Sequence, residues 1–183
     1  LLALEAIWGS EDDSDYSNPG ASPKPKTDQE PSADGDDLDI NEVWGTNNSD
    51  RLTGSLADDD IFGFRGDDSL KGRRGDDILF GDSGNDTLKG GGGNDIIDGG
   101  KGFNVQKGGA GSDLFVLDLR GHQFIRDFSL REDEIWVLKG LNTYSQWGWE
   151  YDGGNTCLYN LRSGEDFAEL EGRHNLNQAF VFG

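Results

Sequence analysis

Methionine is absent from this chain, and cysteine occurs once, at Cys157. A single thiol excludes an internal disulfide framework, so a secreted protein of this kind needs another staple, such as metal. Cys157 itself reads as a small core residue. Histidine is nearly missing too: His122 and His174 stand 52 residues apart with no HExxH pattern. That disfavours zinc and makes each a surface or cap residue. Basic side chains are outnumbered 16 to 36 by acids, a formal net charge of −20. Such an excess disfavours nucleic acid and anionic membrane as partners and favours bound cations. Long apolar runs are also lacking. Leu1 to Gly9 is apolar, but it has no basic region in front and is too short to span a bilayer, so neither a Sec signal nor membrane insertion is expected. With no methionine even at its start, the chain reads as a processed form or an excised piece of something longer.

What is present is glycine, at 29 positions, and aspartate. Glycine at this level fits either disorder or an architecture of repeated tight turns, and periodicity decides between them. Residues 10–39 hold all four prolines with many acids and short polar residues, and read as a disordered acidic linker within a first region, 1–44. From Gly45 the register locks to nine residues and holds for eight units: GTNNSDRLT, GSLADDDIF, GFRGDDSLK, GRRGDDILF, GDSGNDTLK, GGGGNDIID, GGKGFNVQK and GGAGSDLFV, ending at Val116. Position one is always glycine. Position six is Asp50, Asp59, Asp68, Asp77, Asp86, Asp95 and Asp113, with Asn104 the exception. Position eight is apolar throughout except at Gln106, in the same unit. A short strand around one inward aliphatic, followed by a turn, buries nothing alone; stacked units bury a continuous seam.

Residues 117–183 change to alternating apolar and aromatic runs (FIRDF, EIWVL, WGWEY, CLYNL, FAEL, AFVF), a β pattern. We expect a compact antiparallel cap on the open end of the repeats, since stacked arrays must hide their edge strands.

Glycine-rich disorder does not keep phase for eight units. Metal-free solenoid turns would not need an aspartate at each sixth position. GDSG at 81–84 resembles a serine-protease segment but falls on the repeat register, the glycine clusters near 90 and 99 lack a βαβ setting, and DSD at 13–15 lacks the glycine and glutamate of an EF-hand. Trp147, Trp149 and Tyr151 alternate on one strand face, as core residues or as a sugar-stacking platform.

The eight units resemble the RTX, or hemolysin-type, nonapeptide GGxGxDxUx. The resemblance implies an all-β fold, a right-handed parallel β-roll (β-solenoid) with Ca²⁺ in its turns. It further implies that each ion lies between turns eighteen residues apart, held by two position-six aspartates and by carbonyls of positions two and four. The candidate ligands are then the seven aspartates named above with Gly66, Gly75, Gly84, Gly91, Gly93, Gly100, Gly102, Gly109 and Gly111, giving several ions in five or six turn pairs, the pair of Asp86 with Asn104 being weakened. Position two departs from glycine at Thr46, Ser55, Phe64, Arg73 and Asp82, and position four at Asn48 and Ala57. If the turn needs positive φ, the early sites are strained or weaker.

The region after the repeats resembles the corresponding region of serralysin-type secreted proteins, which implies a type I secretion signal. No metzincin helix is present, so protease activity is not carried over. The reading is a non-enzymatic calcium-binding module that folds on calcium outside the cell, secreted or at the cell surface, with the type I machinery as partner. Alternatives are an adhesion or polysaccharide-binding module that meets a cell-surface glycan, and the tail of a secreted enzyme whose catalytic domain lies upstream.

Overall fold

The computed structural model describes residues 41–117, 120–137, 147–161, 164, 166–172 and 176. They form strands and turns without an α-helix: β1 (Asn41–Trp44), β2 (Arg51–Thr53), β3 (Asp59–Phe62), β4 (Ser69–Lys71), β5 (Ile78–Phe80), β6 (Thr87–Gly92), β7 (Ile96–Asp98), β8 (Gly102–Ala110), β9 (Leu114–Leu117), β10 (Gly121–Ile125), β11 (Glu134–Val137), β12 (Trp147–Asp152), β13 (Asn155–Asn160) and β14 (Asp166–Leu170). Strands β1 to β12 alternate between two sheets. The first runs β1-β3-β5-β7-β9-β11, and the second β12-β13-β14-β10-β8-β6-β4-β2. The chain is an all-β, parallel β-solenoid.

Two nonapeptides make one coil, so strands pair in register with those eighteen residues away. Ile61 faces Leu79, Leu79 faces Ile97 and Ile97 faces Phe115 in one sheet; Leu52, Leu70, Leu88 and Gln106 align in the other. Position eight points inward because it is the middle of a three-residue strand whose neighbours must point out. The result is a thin core of two stacked rows, in which Ile61, Leu79, Ile97 and Phe115 are fully buried. One aliphatic per nine residues is little burial against the entropy of ordering so many glycines, so the turns must contribute stability of their own.

Order begins before the expected boundary at Gly45. Asn41–Trp44 is a strand parallel to β3, with Val43 opposite Ile61. Trp44 stacks on Phe62 at 4.5 Å, and Phe62 on Phe80 at 5.3 Å, which ties this strand to the outer face of the first sheet. The rest of the expected disordered segment, residues 1–40, lies outside the described residues.

At the other end the parallel ladder runs past Val116. β10 pairs parallel with β8 and β11 with β9, so Ile125 faces Gln106 and Ile135 faces Phe115. The antiparallel part expected over 117–183 is confined, among the described residues, to the meander β12-β13-β14; it joins the second sheet through β14, which lies parallel to β10. Cys157 is buried there, and burial pushes its thiol pKa up, as for an unreactive core residue. Trp149 packs against the core, whereas Tyr151 is largely exposed.

Candidate metal centre

The position-six side chains form two ladders, one along each edge of the roll. The N–H of Asp50 donates to Asp68 Oδ1 (2.7 Å), that of Asp68 to Asp86 Oδ1 (2.8 Å), and that of Asp86 to Asn104 Oδ1 (2.8 Å). On the other edge Asp59 donates to Asp77 (3.0 Å), Asp77 to Asp95 (2.9 Å) and Asp95 to Asp113 (3.0 Å). The six eighteen-residue pairs expected from the sequence are therefore brought together. Asp59, Asp68, Asp77, Asp86, Asp95, Asn104 and Asp113 are all buried.

Each ladder bond uses one carboxylate oxygen. Among the described residues, Oδ1 of Asp59 and Oδ2 of Asp68, Asp77, Asp86 and Asp95 are buried with no hydrogen-bond partner. A buried anionic oxygen without a donor is costly. Burial accordingly pushes the carboxyls of Asp68, Asp77, Asp95 and Asp113 up to about 6, and that of Asp86 to about 7; neighbouring aspartates add to the rise and the ladder N–H opposes it.

The nine candidate glycines, Gly66, Gly75, Gly84, Gly91, Gly93, Gly100, Gly102, Gly109 and Gly111, all adopt positive φ. At position four the reason is close stacking: a Cβ on Gly84 would collide with the Gly66 carbonyl of the preceding coil. At position two the same conformation is forced on Phe64 (φ 74°), Arg73 (φ 103°) and Asp82 (φ 68°). Their carbonyls each accept one main-chain N–H, from Ser83, Gly92 and Lys101 respectively; that of Phe64 also meets the Ser83 hydroxyl at 3.5 Å, and those of Arg73 and Asp82 keep a second lone pair.

The first two turns are built differently. Thr46 and Ser55 do not take positive φ; each donates its N–H and its hydroxyl to one carboxylate oxygen of its own unit, on Asp50 and Asp59 respectively. The degenerate unit is different again. Asn104 Nδ2 (3.1 Å) and Gln123 Nε2 (2.7 Å) both donate to the Gly100 carbonyl, and Gln106 Nε2 donates to Gln123 Oε1 (2.7 Å). Uncharged amides thus fill this turn and occupy both lone pairs of Gly100 O.

Three features were missed in the sequence. Asp133 Oδ1 accepts the Asp113 N–H (3.1 Å), so one ladder continues beyond the repeats, and Asp127 Oδ1 accepts the N–H of the position-one Gly108 (3.0 Å). Asp133-x-Ile135 repeats the spacing of Asp113-x-Phe115, a signal that was available. Position five carries a second, exposed ladder of opposite sense, in which Asp58, Asp67, Asp76, Asn85 and Asn94 accept N–H groups eighteen residues later. Finally, Gln123 follows Asn104 in the ladder position. His122 is half-buried beside Phe103; His174 and the side chain of Trp147 lie outside the described residues.

Among the described residues no three His, Cys, Asp or Glu side chains converge on one point. Any ion in these turns would therefore be held by carboxylate pairs together with main-chain carbonyls. That donor set is all hard oxygen, which suits Ca²⁺ and its six to eight ligands rather than zinc. The buried carboxylate oxygens lacking donors fit such an ion.

These features define a calcium-binding parallel β-solenoid. Residues 44–79 and 71–106 match the family model for the RTX calcium-binding nonapeptide repeat (4 copies), so this stretch carries RTX-type repeats and calcium is the ion they bind. No curated protein matches the chain. Among solved structures, the AlgE6R3 subunit of the Azotobacter vinelandii mannuronan C5-epimerase is 28% identical, with 79% of this chain and 84% of that one covered and a TM-score of 0.40. The AlgE6R2 subunit of the same enzyme is 24% identical over 76% and 91%, also with a TM-score of 0.40.

Proposed function

We propose that this chain is a non-catalytic module whose folding is driven by calcium, in a protein exported unfolded by a type I system and locked outside the cell. The observation that carries the reading is the row of buried, half-satisfied carboxylates. Without a cation they repel across adjacent coils, and the thin core does not offset them. Bound calcium supplies the counter-charge and the missing partner for each free oxygen. Binding to the folded state alone then becomes folding free energy. Extracellular modules bind calcium at about 10⁻⁴–10⁻³ M, a level that keeps the chain unfolded in a calcium-poor cytosol.

The ligands we assign are the position-six aspartates from Asp50 to Asp113 with carbonyls of positions two and four in the roll at 45–116. Gly100 is set aside, because its carbonyl is committed to two amides. Residues 117–183 serve as the cap. The test is far-UV circular dichroism of the full chain during a calcium titration, with magnesium as control. A cooperative, calcium-specific coil-to-β transition is expected; a β spectrum already complete in chelator would sink the proposal.

A further inference from the structure

The two outer faces of the roll differ in charge. Strands of the first sheet contain no lysine or arginine, and carry Trp44, Phe62, Phe80, Ile78 and Ile96 outward. In the second sheet, position nine reads Thr53, Lys71, Lys89 and Lys107 in direct register, and Arg126, next after the Gln106–Ile125 pair, continues the row. All five are exposed. Adjacent strands lie about 4.8 Å apart, and like charges directly opposite one another destabilise a sheet. Charges within the row therefore repel one another. At its far end it is balanced, Lys107 by Asp127 at 3.9 Å and Arg126 by Glu171 at 3.4 Å. Among the described residues Lys71 and Lys89 have no ion-pair partner.

We propose that the acidic segment at residues 11–39 docks along this basic row and neutralises it in cis. Residues 11–39 hold 10 acids and 2 lysines. Asn41, which follows this segment in β1, donates its side-chain N–H to Ser55 at 3.3 Å, and among the described residues the second sheet ends at β2. The uncompensated lysines lie one and two strands from that edge. From Lys71 to Arg126 is three strand steps, about 15 Å, which about five extended residues cover. Tethering holds the segment at an effective concentration in the millimolar range, whereas a free polyanion is opposed by the chain's overall charge.

Zero-length carbodiimide crosslinking of the dilute, calcium-loaded full chain, mapped by mass spectrometry, tests this. Crosslinks from Lys71, Lys89 and Lys107 into residues 11–39 are expected, falling several-fold in roughly 0.5 M salt, where screening is confined to a few ångströms. A variant with Glu11→Gln, Asp12→Asn, Asp13→Asn, Asp15→Asn, Asp28→Asn and Glu30→Gln, far in sequence from the roll, should then bind dextran sulfate several-fold more tightly than the parent chain. Crosslinks from these lysines to acids of the roll alone would overturn the proposal. So would equal dextran sulfate binding by both chains, which would give the face to an external polyanion.

Discussion

The N–H of Asp68 donates to Asp86 Oδ1 at 2.8 Å, while Oδ2 of the same carboxylate is buried with no partner. One oxygen serves the fold and the other is left for a cation. Asp86→Asn separates the two roles, because the amide oxygen keeps the ladder bond and the charge is lost. In chelator this variant should be more ordered than the parent, since a buried charge is gone. In a calcium titration its midpoint should rise about tenfold, equivalent to ~1.4 kcal/mol. Circular dichroism reads both, and the effects should have opposite signs.

The raised carboxyl values give a pH dependence for the chelated protein. Asp68, Asp77, Asp95 and Asp113 sit at about 6 and Asp86 at about 7 in the folded chain, against 3.8 ordinarily. Between these values the folded state holds protons that the unfolded chain has released, so stability is greatest below pH 3.8 and is lost as pH rises through 6 to 7. Chelated protein should therefore be more structured at about pH 4.5 than at about pH 7.5, and calcium should reverse the trend, since it binds the deprotonated form. Thermal melts across this range with and without calcium check the crossing.

Arg73 holds φ at 103° with an exposed side chain. A left-handed conformation costs a non-glycine residue about 1–2 kcal/mol, whereas glycine adds about 0.5–1 kcal/mol of unfolded-chain entropy. Arg73→Gly should therefore stabilise the calcium-loaded roll by about 0.5–1 kcal/mol, seen as a higher denaturation midpoint with an unchanged calcium stoichiometry.

Gln123→Ala removes a buried amide that bridges Gly100 O and Gln106. Gly100 O keeps its bond from Asn104, but leaving the Gln106 amide N–H buried and unsatisfied should cost about 1–3 kcal/mol. Because this turn is filled by amides, calorimetry should give the same number of ions per chain as the parent. A lower stoichiometry would show that the turn holds metal after all.

The nine-residue phase and the inward position-eight row were legible in the sequence, because each repeats without insertion from Gly45 to Val116; the eighteen-residue aspartate pairs followed only from the resemblance to RTX repeats. Beyond Val116 the same structure continues out of phase. Asn104 to Gln123 is 19 residues and Asp113 to Asp133 is 20, so one or two extra turn residues hid two further rungs. The first strand escaped notice because its unit opens on Asp36, where every other opens on glycine. Position five escaped because Asp, Asn and Ser replace one another there while doing the same hydrogen-bonding work.

The alternation of strands between sheets also governs how such an array can grow. Lys71, Lys89 and Lys107 recur every eighteen residues, and so do Trp44, Phe62 and Phe80. Each face is thus written by every second unit, as two interleaved texts. Loss or gain of a single nonapeptide would leave every local motif intact and yet move all later lysines onto the aromatic sheet and all later aromatics onto the basic one. Lengthening by duplication keeps both faces only when units are copied in pairs, so the unit that carries this protein's surface is the coil of eighteen and not the motif of nine.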